Sequence, residues 1–413
     1  MNIKYRQTCR ICGNPHLTDV LDLGYQYFQG SFIKEGVPNP PTRKTPNQIV
    51  RCDTSKWENA CGLVQTRHTI PPRILYTNYW YQSGISNTMR EHLQRIVWKT
   101  TGITNLYDGT VLDIAMNDGT LLRNYSENFK KIGIDPCDIT SRQKDKDIKI
   151  INDLFPTKLL EEKDINIITS IACYYDVENP CEFAQEIKKI LHKKGIWIFE
   201  VAYWPSMLKN LSYDSCVNEH IIHYHLAPIE IMMKACGLKV FDAELTDTNG
   251  GSIMCYITHD DCHNYDSENS RKRLSEIRLG EFNAALDDES TYEIFRSRVL
   301  AHKTELNKLL KQIRLEGKTI HIYGSSTKLN TILGYCEIGT DLIQYAAERS
   351  PEKVGATTIS GIKLISEEES RNMKPDYYFI GPYHFKAEIL ERETEFRKNG
   401  GKFIFPLPKI EIV

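Results

Sequence analysis

Glu219 and His220 stand side by side in a run of histidines, Asn218-Glu219-His220-Ile221-Ile222-His223-Tyr224-His225. An imidazole exchanges its proton near neutral pH, so a histidine beside a carboxylate suits proton abstraction, the acid orienting the ring or stabilising its charged form. Three readings of the run stand open: a base with its partner, a metal site shared by His220, His223 and His225, or structural histidines on a wet helix. No conventional metal-ligand spacing matches the three. Upstream, Gly195–Tyr203 reads as a buried strand ending in Glu200 and Tyr203. A position just beyond the carboxyl end of a sheet strand favours an active site.

Two further patterns carry chemistry. In Val111–Leu122 an apolar run enters Asp113, a small-residue turn follows (Ala115-Met116-Asn117-Asp118-Gly119), and Thr120-Leu121-Leu122 opens a helix. Such a strand–turn–helix lets a ligand approach the backbone at a helix N-terminus, where N–H groups point outward. Asp135 ends the next apolar run, 22 positions after Asp113, close to the spacing of about 20 at which a carboxylate grips a ribose hydroxyl. The turn is not GxGxxG, so the dinucleotide fingerprint is absent. The second pattern is Cys9-x2-Cys12-Gly13 followed by Cys52 and Cys61. Four thiolates suffice for a tetrahedral structural zinc, although the eight residues between Cys52 and Cys61 must then loop out. Ordinary buried thiols are the alternative. Residues 1–70 hold few apolar side chains and need such a staple.

Positioning these groups takes several elements. Apolar strands at Val111–Ala115, Lys131–Asp135, Ile148–Ile151, Ile165–Ala172 and Gly195–Val201 alternate with helical patterns, among them Met89–Trp98, Thr120–Phe129 and Pro180–His192. Alternation of this kind implies a parallel sheet covered on both faces. Leu238–Leu245 and Ile253–Thr258 flank Asn249-Gly250-Gly251-Ser252 and read as an antiparallel edge hairpin. Residues 262–316 are charged, with apolar positions at helical spacing. A second strand–turn–helix begins at Thr319–Tyr323 with Gly324-Ser325-Ser326-Thr327-Lys328, and strands follow at Asp341–Ala346, Tyr377–Gly381 and Gly401–Pro406. The chain therefore divides into a zinc-binding domain (1–70), a larger α/β domain (71–260), and a helical linker with a C-terminal α/β domain (261–413).

The bulk numbers bound the rest. A chain of 413 residues exceeds one ordinary core. With 52 basic and 54 acidic residues, the net charge of −2 argues against a nucleic-acid partner. No apolar run is long enough to span a membrane, and the start MNIKYRQTCR lacks a signal-peptide core. The 12 cysteines lie mostly in apolar runs and read as reduced thiols in cytoplasm.

Asp113-x-Ala115-x-x-x-Gly119 resembles the first motif of class I S-adenosylmethionine (SAM) methyltransferases. The order CRICG, RCD…CGLVQ, NYWYQSGISNTM, VLDIAMNDGTLL, GIDP, NEH, NGGS, YGSSTKLNT and GGKFIFPLP is similar to the sugar C-methyltransferase family, three-domain enzymes that methylate nucleotide-linked keto-deoxysugars. The resemblance implies a class I SAM methyltransferase core, Rossmann-like, flanked by an N-terminal zinc-binding domain and a C-terminal Rossmann-like α/β domain. It places Cys9, Cys12, Cys52 and Cys61 on zinc, and Ala115, Asn117, Asp118 and Gly119, with Asp113 before them, on the SAM loop. Asp135 falls on the acid that holds the ribose of SAM. Glu219 and His220 fall on the Glu-His of the family's Tyr-His-Glu-His motif, His220 as the base. Tyr79 or Tyr81 borders the sugar, and Lys328, in the turn after Tyr323, faces the nucleotide diphosphate. The departures are Val217 for the motif's tyrosine, Asn218 for its first histidine, Asp176 for a histidine after the fourth strand, and Ala115 for a glycine. The implied reaction removes the proton α to a sugar ketone, and the enolate carbon takes the methyl group. The rivals are an O- or N-methyltransferase on the same scaffold, a nicotinamide-dependent nucleotide-sugar oxidoreductase or epimerase, and a non-catalytic sugar-nucleotide binder.

Overall fold

The computed structural model of the chain describes residues 3–413 other than 39, 42 and 77–79. At its centre is a seven-stranded sheet made of β1 (Gly109–Ile114), β2 (Phe129–Ile134), β3 (Ile148–Ile151), β4 (Ile165–Ile171), β5 (Leu191–Ala202), β6 (Leu238–Thr246) and β7 (Ser252–His259). The strands lie in the order β6-β7-β5-β4-β1-β2-β3, and β7 alone runs antiparallel to its neighbours. Leu112 pairs with Ile132 on one side and Ile168 on the other. The alternation of side chains feeds two cores. Leu112, Ile114, Ile168, Trp197 and Phe199 pack on one face, and Val111, Ile167, Ile196 and Ile198 on the other. A long helix, α1 (Asn87–Thr104), covers the second face with Leu93, Ile96 and Val97. The chain leaves β1 toward β2 and β3, then returns to place β4 on the other side. This reversal opens a crevice beyond the carboxyl ends of β1 and β4, where open α/β sheets hold ligands.

The helix expected at Thr120–Phe129 is not formed. A single 3₁₀ turn, Leu122–Asn124, takes its place, and β2 already begins at Phe129. Asp118 draws both the N–H and the hydroxyl of Thr120 onto its carboxylate. Leu121, Leu122 and Tyr125 still bury the apolar surface that a helix would have buried. The expected helix at Pro180–His192 ends at Ile190 (α2, Pro180–Ile190), because β5 starts at Leu191.

Two helices, α3 (Glu268–Asn283) and α4 (Glu289–Leu315), lead to the C-terminal sheet. Tyr292, Phe295, Val299, Leu306, Leu310 and Ile313 form the buried stripe of α4 at helical spacing. The C-terminal sheet contains β8 (Ile320–Tyr323), β9 (Tyr345–Glu348), β10 (Lys363–Ser366), β11 (Tyr377–Ile380) and β12 (Lys402–Phe405), all parallel in the order β12-β11-β8-β9-β10. Helix α5 (Thr327–Cys336) follows β8. The strand expected at Asp341–Ala346 starts only at Tyr345, since Gly339–Leu342 forms a turn.

The N-terminal strands Leu17–Gln26, Thr45–Cys52 and Val64–Thr66 form an antiparallel sheet whose fourth strand is Ile222–His223, from the histidine run. That run is therefore a loop and a short strand, not a helix. Phe32–Ile33 extends the C-terminal sheet by pairing with Thr357–Thr358. The Arg10 guanidinium, fully enclosed, bonds to Gln65 (3.1 Å), the Thr66 carbonyl (2.7 Å), Thr69 (2.8 Å) and Glu178 (3.3 Å). Arg6 also reaches Glu178, at 2.9 Å. Removing one member of a buried pair strands the other, so Arg10→Met is expected to cost about 3–5 kcal/mol in denaturant unfolding. A loss below about 1 kcal/mol would mean that water takes over these contacts.

Candidate active site and metal centre

A cavity of about 530 Å³ fills the crevice and extends to the C-terminal domain. Its floor is the turn after β1. Ala115 (φ 63°), Asn117 (φ 54°) and Gly119 (φ 79°) all take left-handed backbone, and the N–H groups of Ala115 and Met116 bond to the Ile134 carbonyl. Left-handed backbone costs a residue with a Cβ about 1–2 kcal/mol, which explains why glycine suits position 115. Asp135 receives the N–H of Asn117 on one oxygen (2.9 Å) and that of Cys137 on the other (2.8 Å), and it lines the cavity with lone pairs to spare. Asp113 also lines it; burial pushes its carboxyl up to about 7 against the pull of Thr169, which donates to it at 2.6 Å. Asn117 faces the cavity while bonding to Ser83 N and the Tyr81 carbonyl. Asp118 and Gly119 do not line the cavity. Asp118 instead takes the Gly84 N–H at 2.8 Å, clamping the segment before α1. Tyr81 lines the cavity, and Tyr79 lies outside the described residues.

Opposite the turn stands His220. Its Nδ1–H donates to the Ser215 carbonyl at 3.0 Å, which leaves Nε2 as the bare nitrogen. Burial, with the charge of Lys328 added, lowers its pKa to about 3, so the ring is neutral. Tyr175, from the turn after β4, packs on it with ring centroids 4.0 Å apart. Glu219 lines the same cavity, and burial raises its carboxyl to about 7. Among the described residues no hydrogen bond joins it to His220; the Ser215 carbonyl, not Glu219, fixes the ring. The Glu219 carboxyl lies so close to Gly30 that a Cβ there would stand 2.4 Å from its Oε1. Asp176 lines the cavity after β4, and Val217 offers a buried apolar side chain. Asn218 turns the other way, with the His68 Nε2 at 3.0 Å and the Gln29 amide oxygen at 3.2 Å from its own amide. His223 and His225 are buried apart from the cavity lining, so the histidines share no metal site. Tyr203 is likewise occupied elsewhere, donating to Glu281 at 3.0 Å.

The C-terminal domain closes the third side. Lys328, from the first turn of α5, is partly buried, and its Nζ donates to the Asn249 carbonyl at 2.5 Å. Tyr323, grouped with it in the sequence, does not line the cavity: as the last residue of β8 it donates to Glu393 (2.7 Å) and accepts from Arg392. Four participants were not singled out from sequence. Ser215 supplies a backbone atom and Tyr175 a ring face, neither of which a motif records. Asp214 is wholly buried, accepting from Tyr383 at 3.2 Å. His384 follows β11 and lines the cavity; its position after a strand end was the available signal.

The thiol cluster lies beneath the N-terminal sheet. The sulfurs of Cys9, Cys12, Cys52 and Cys61 all lie within 4.8 Å of one another, with Cys9–Cys61 and Cys12–Cys52 each at 3.5 Å. Four sulfurs about 2.3 Å from one ion stand at such separations, so the donor set fits tetrahedral zinc. Gly13 (φ 75°) makes the knuckle turn, and Asp53 folds the Cys52–Cys61 segment by accepting from Thr18 and Ser55. Purified protein is expected to carry one zinc per chain, and Cys61→Ser to lose it, by elemental analysis; metal-free protein with an intact N-terminal domain would contradict this. The His220 ring is expected to stay neutral from pH 5 to 8, its NMR signals flat across that range. A midpoint near the usual histidine value would show that water reaches it.

Family models match three consecutive stretches: a zinc-binding domain over residues 9–76, a methyltransferase domain over 81–243, and a C-methyltransferase C-terminal domain over 247–408. The C-methyltransferase NovU of Streptomyces niveus is 25% identical over 414 aligned positions, covering 98% of this chain and 96% of that relative. Among solved structures, an S-adenosylmethionine-dependent methyltransferase from Clostridium acetobutylicum aligns at 15% identity over 41% of this chain and 92% of its own (TM-score 0.34). The plantazolicin methyltransferase BpumL in complex with SAH aligns at 12% over 40% and 82% (TM-score 0.34). The strand order, the left-handed turn with Asp135 beside it, the thiol cluster and the three matches in sequence mark the chain as a SAM-dependent C-methyltransferase with an N-terminal zinc-binding domain.

Proposed function

We propose that the enzyme methylates a nucleotide-linked keto-deoxysugar at the carbon α to its ketone, through an enolate. The observation that carries this reading is His220: a neutral imidazole, its Nδ1–H tied to Ser215, its Nε2 unprotonated, in the cavity that the cofactor turn also lines. O- and N-methylation begin from a lone pair already present, whereas C-methylation must first break a C–H bond, and a positioned base is what that step needs. Bound SAM supplies an electrophilic methyl group on a sulfonium. Asp135 and the turn at Asp113–Asn117 hold and orient it, Asp135 through its remaining lone pairs. His220 takes the α-proton, and the sugar's carbanionic carbon then faces the methyl in line. Glu219 lies beside the base in sequence and in the cavity, where it acts on the sugar rather than on the ring. Asp176 and Tyr81 border the same space, and Tyr79 belongs to the segment before it.

Labelled SAM with a panel of nucleotide keto-deoxysugars tests the reading, with product connectivity by NMR. A new methyl on carbon, and a fall in kcat of about 10²–10⁴ in His220→Ala, are the expected results. A methyl found on oxygen or nitrogen, or full turnover by His220→Ala, would overturn it.

A further inference from the structure

The residues that line the cavity include seven carboxylates, Asp113, Asp135, Asp153, Asp176, Glu178, Glu200 and Glu219, but among the described residues a single lysine or arginine, Lys328. That one ammonium comes from the C-terminal domain and is half-buried, anchored on the Asn249 carbonyl of the loop before β7. Its field reaches both His220 and His384, and Asp214 is its counter-charge. Asp214 and Ser215 belong to one 3₁₀ turn, Tyr213–Ser215, so the same turn balances the cation and holds the base's Nδ1–H. Glu178 is paired with Arg6 and Arg10, Glu200 is bonded to His92, and burial raises Asp113 and Glu219. The wall therefore offers a diphosphate, with its two or more negative charges, one cation against the acids Asp135, Asp153 and Asp176, a poor match. A single developing oxyanion, a few ångströms from the base that creates it, is matched well. An ammonium fixed before the reaction stabilises such a charge without reorganisation.

We propose that Lys328 is a catalytic residue, the cation that receives the enolate oxygen, and that the diphosphate of the substrate is held elsewhere. The proposal rests on the keto-sugar reading above. In the step, His220 Nε2 takes the α-proton as the C–H electron pair becomes the C=C bond, and the carbonyl π pair moves onto oxygen, against the Lys328 ammonium. The oxygen pair then returns to re-form the ketone as the α-carbon bonds to the methyl group, and the S–CH₃ pair stays on sulfur, leaving S-adenosylhomocysteine. The proton leaves His220 to solvent after product release. Substrate and cofactor go to methylated product, S-adenosylhomocysteine and one proton, with no further reactant.

The test uses full-length, zinc-loaded enzyme and a panel of nucleoside-diphosphate 4-keto-6-deoxysugars, taking the member that the wild type methylates fastest. Lys328→Met is expected to lower kcat about 10²–10³-fold, to leave KM for the sugar nucleotide and inhibition by the free nucleoside diphosphate nearly unchanged, and to enlarge the kinetic isotope effect with α-deuterated substrate. Lys328→Arg should recover part of kcat. If Lys328→Met fails to fold because Asp214 is left unbalanced, Lys328→Met/Asp214→Asn, which removes both charges, is measured in its place with the same expectation. Weakened nucleoside-diphosphate inhibition with kcat intact would overturn the proposal in favour of a diphosphate contact, and unchanged kcat and KM would leave Lys328 structural. In both cases the wild type still methylates carbon, so the keto-sugar reading survives. A wild type that methylates no carbon on any member would overturn both.

Discussion

Burial holds the imidazole of His220 in its neutral form, and no single domain of this chain supplies that burial. The methyltransferase sheet supplies the floor of the crevice, but His220 sits beyond its edge on a segment with no regular structure except the two-residue strand that follows it. That strand is held by the N-terminal sheet, and the cavity wall facing it is built from Ser326, Thr327, Lys328, Pro382 and His384 of the C-terminal domain. Burial lowers the basicity of the ring, which weakens it as a base in the ground state. In exchange the ring is in the form that can accept across the neutral range, and charges beside it are screened less than in water.

The N-terminal domain is thereby part of the site rather than an appendage. Its loop at Gln29-Gly30 touches three partners: Gln29 accepts from Asn218, its carbonyl accepts from Asn330 on α5, and Gly30 gives Glu219 room. Two residues further on, Phe32–Ile33 joins the C-terminal sheet. With few apolar residues of its own, the domain depends on its metal and on Arg10 with Glu178 to keep this loop in register. A thiolate cluster far from the reacting atoms in sequence therefore bears on their geometry through one sheet.

What the sequence disclosed follows from which signals are local. Strand segments such as Ile196–Phe199, buried on both faces, announce themselves as apolar runs, and a left-handed turn announces itself by small residues around Asp113–Gly119. Cys9 and Cys12 were legible because a knuckle needs Gly13. The Thr120–Phe129 helix failed because the backbone is already extended at Tyr125 (ψ 144°) and enters β2 at Phe129, while the 3₁₀ turn buries the apolar side chains that suggested a helix. Ser215, Asp214, Tyr175 and His384 were hidden for a different reason: Ser215 acts through its backbone, Tyr175 comes to His220 from a distant strand end, and Asp214 and His384 gain their place only where the C-terminal domain meets the methyltransferase domain. Tyr323 misled because strand alternation sends it toward Glu393 and Arg392 while the turn that follows it goes to the cavity.

The departures from the family's Tyr-His-Glu-His motif separate on the same grounds. At position 218 the side chain points away from the cavity, toward His68 and Gln29, so asparagine there alters the joint between domains and leaves the reacting atoms alone. Position 217 is different, because Val217 lines the cavity and presents only methyl groups. A phenol there would supply a hydroxyl to a sugar oxygen, and a valine supplies none while leaving more space. Asp176, on the opposite side after β4, places a carboxylate where the resemblance implies an imidazole. A substrate that fits this chain should offer carbon or hydrogen toward Val217 and a donor, a hydroxyl or an amine, toward Asp176. On the keto-sugar reading proposed above, Glu219, His220 and Lys328 would meet what is common to the reaction, and the choice among substrates would fall to Val217 and Asp176, the cavity-lining positions that depart from the motif the resemblance implies.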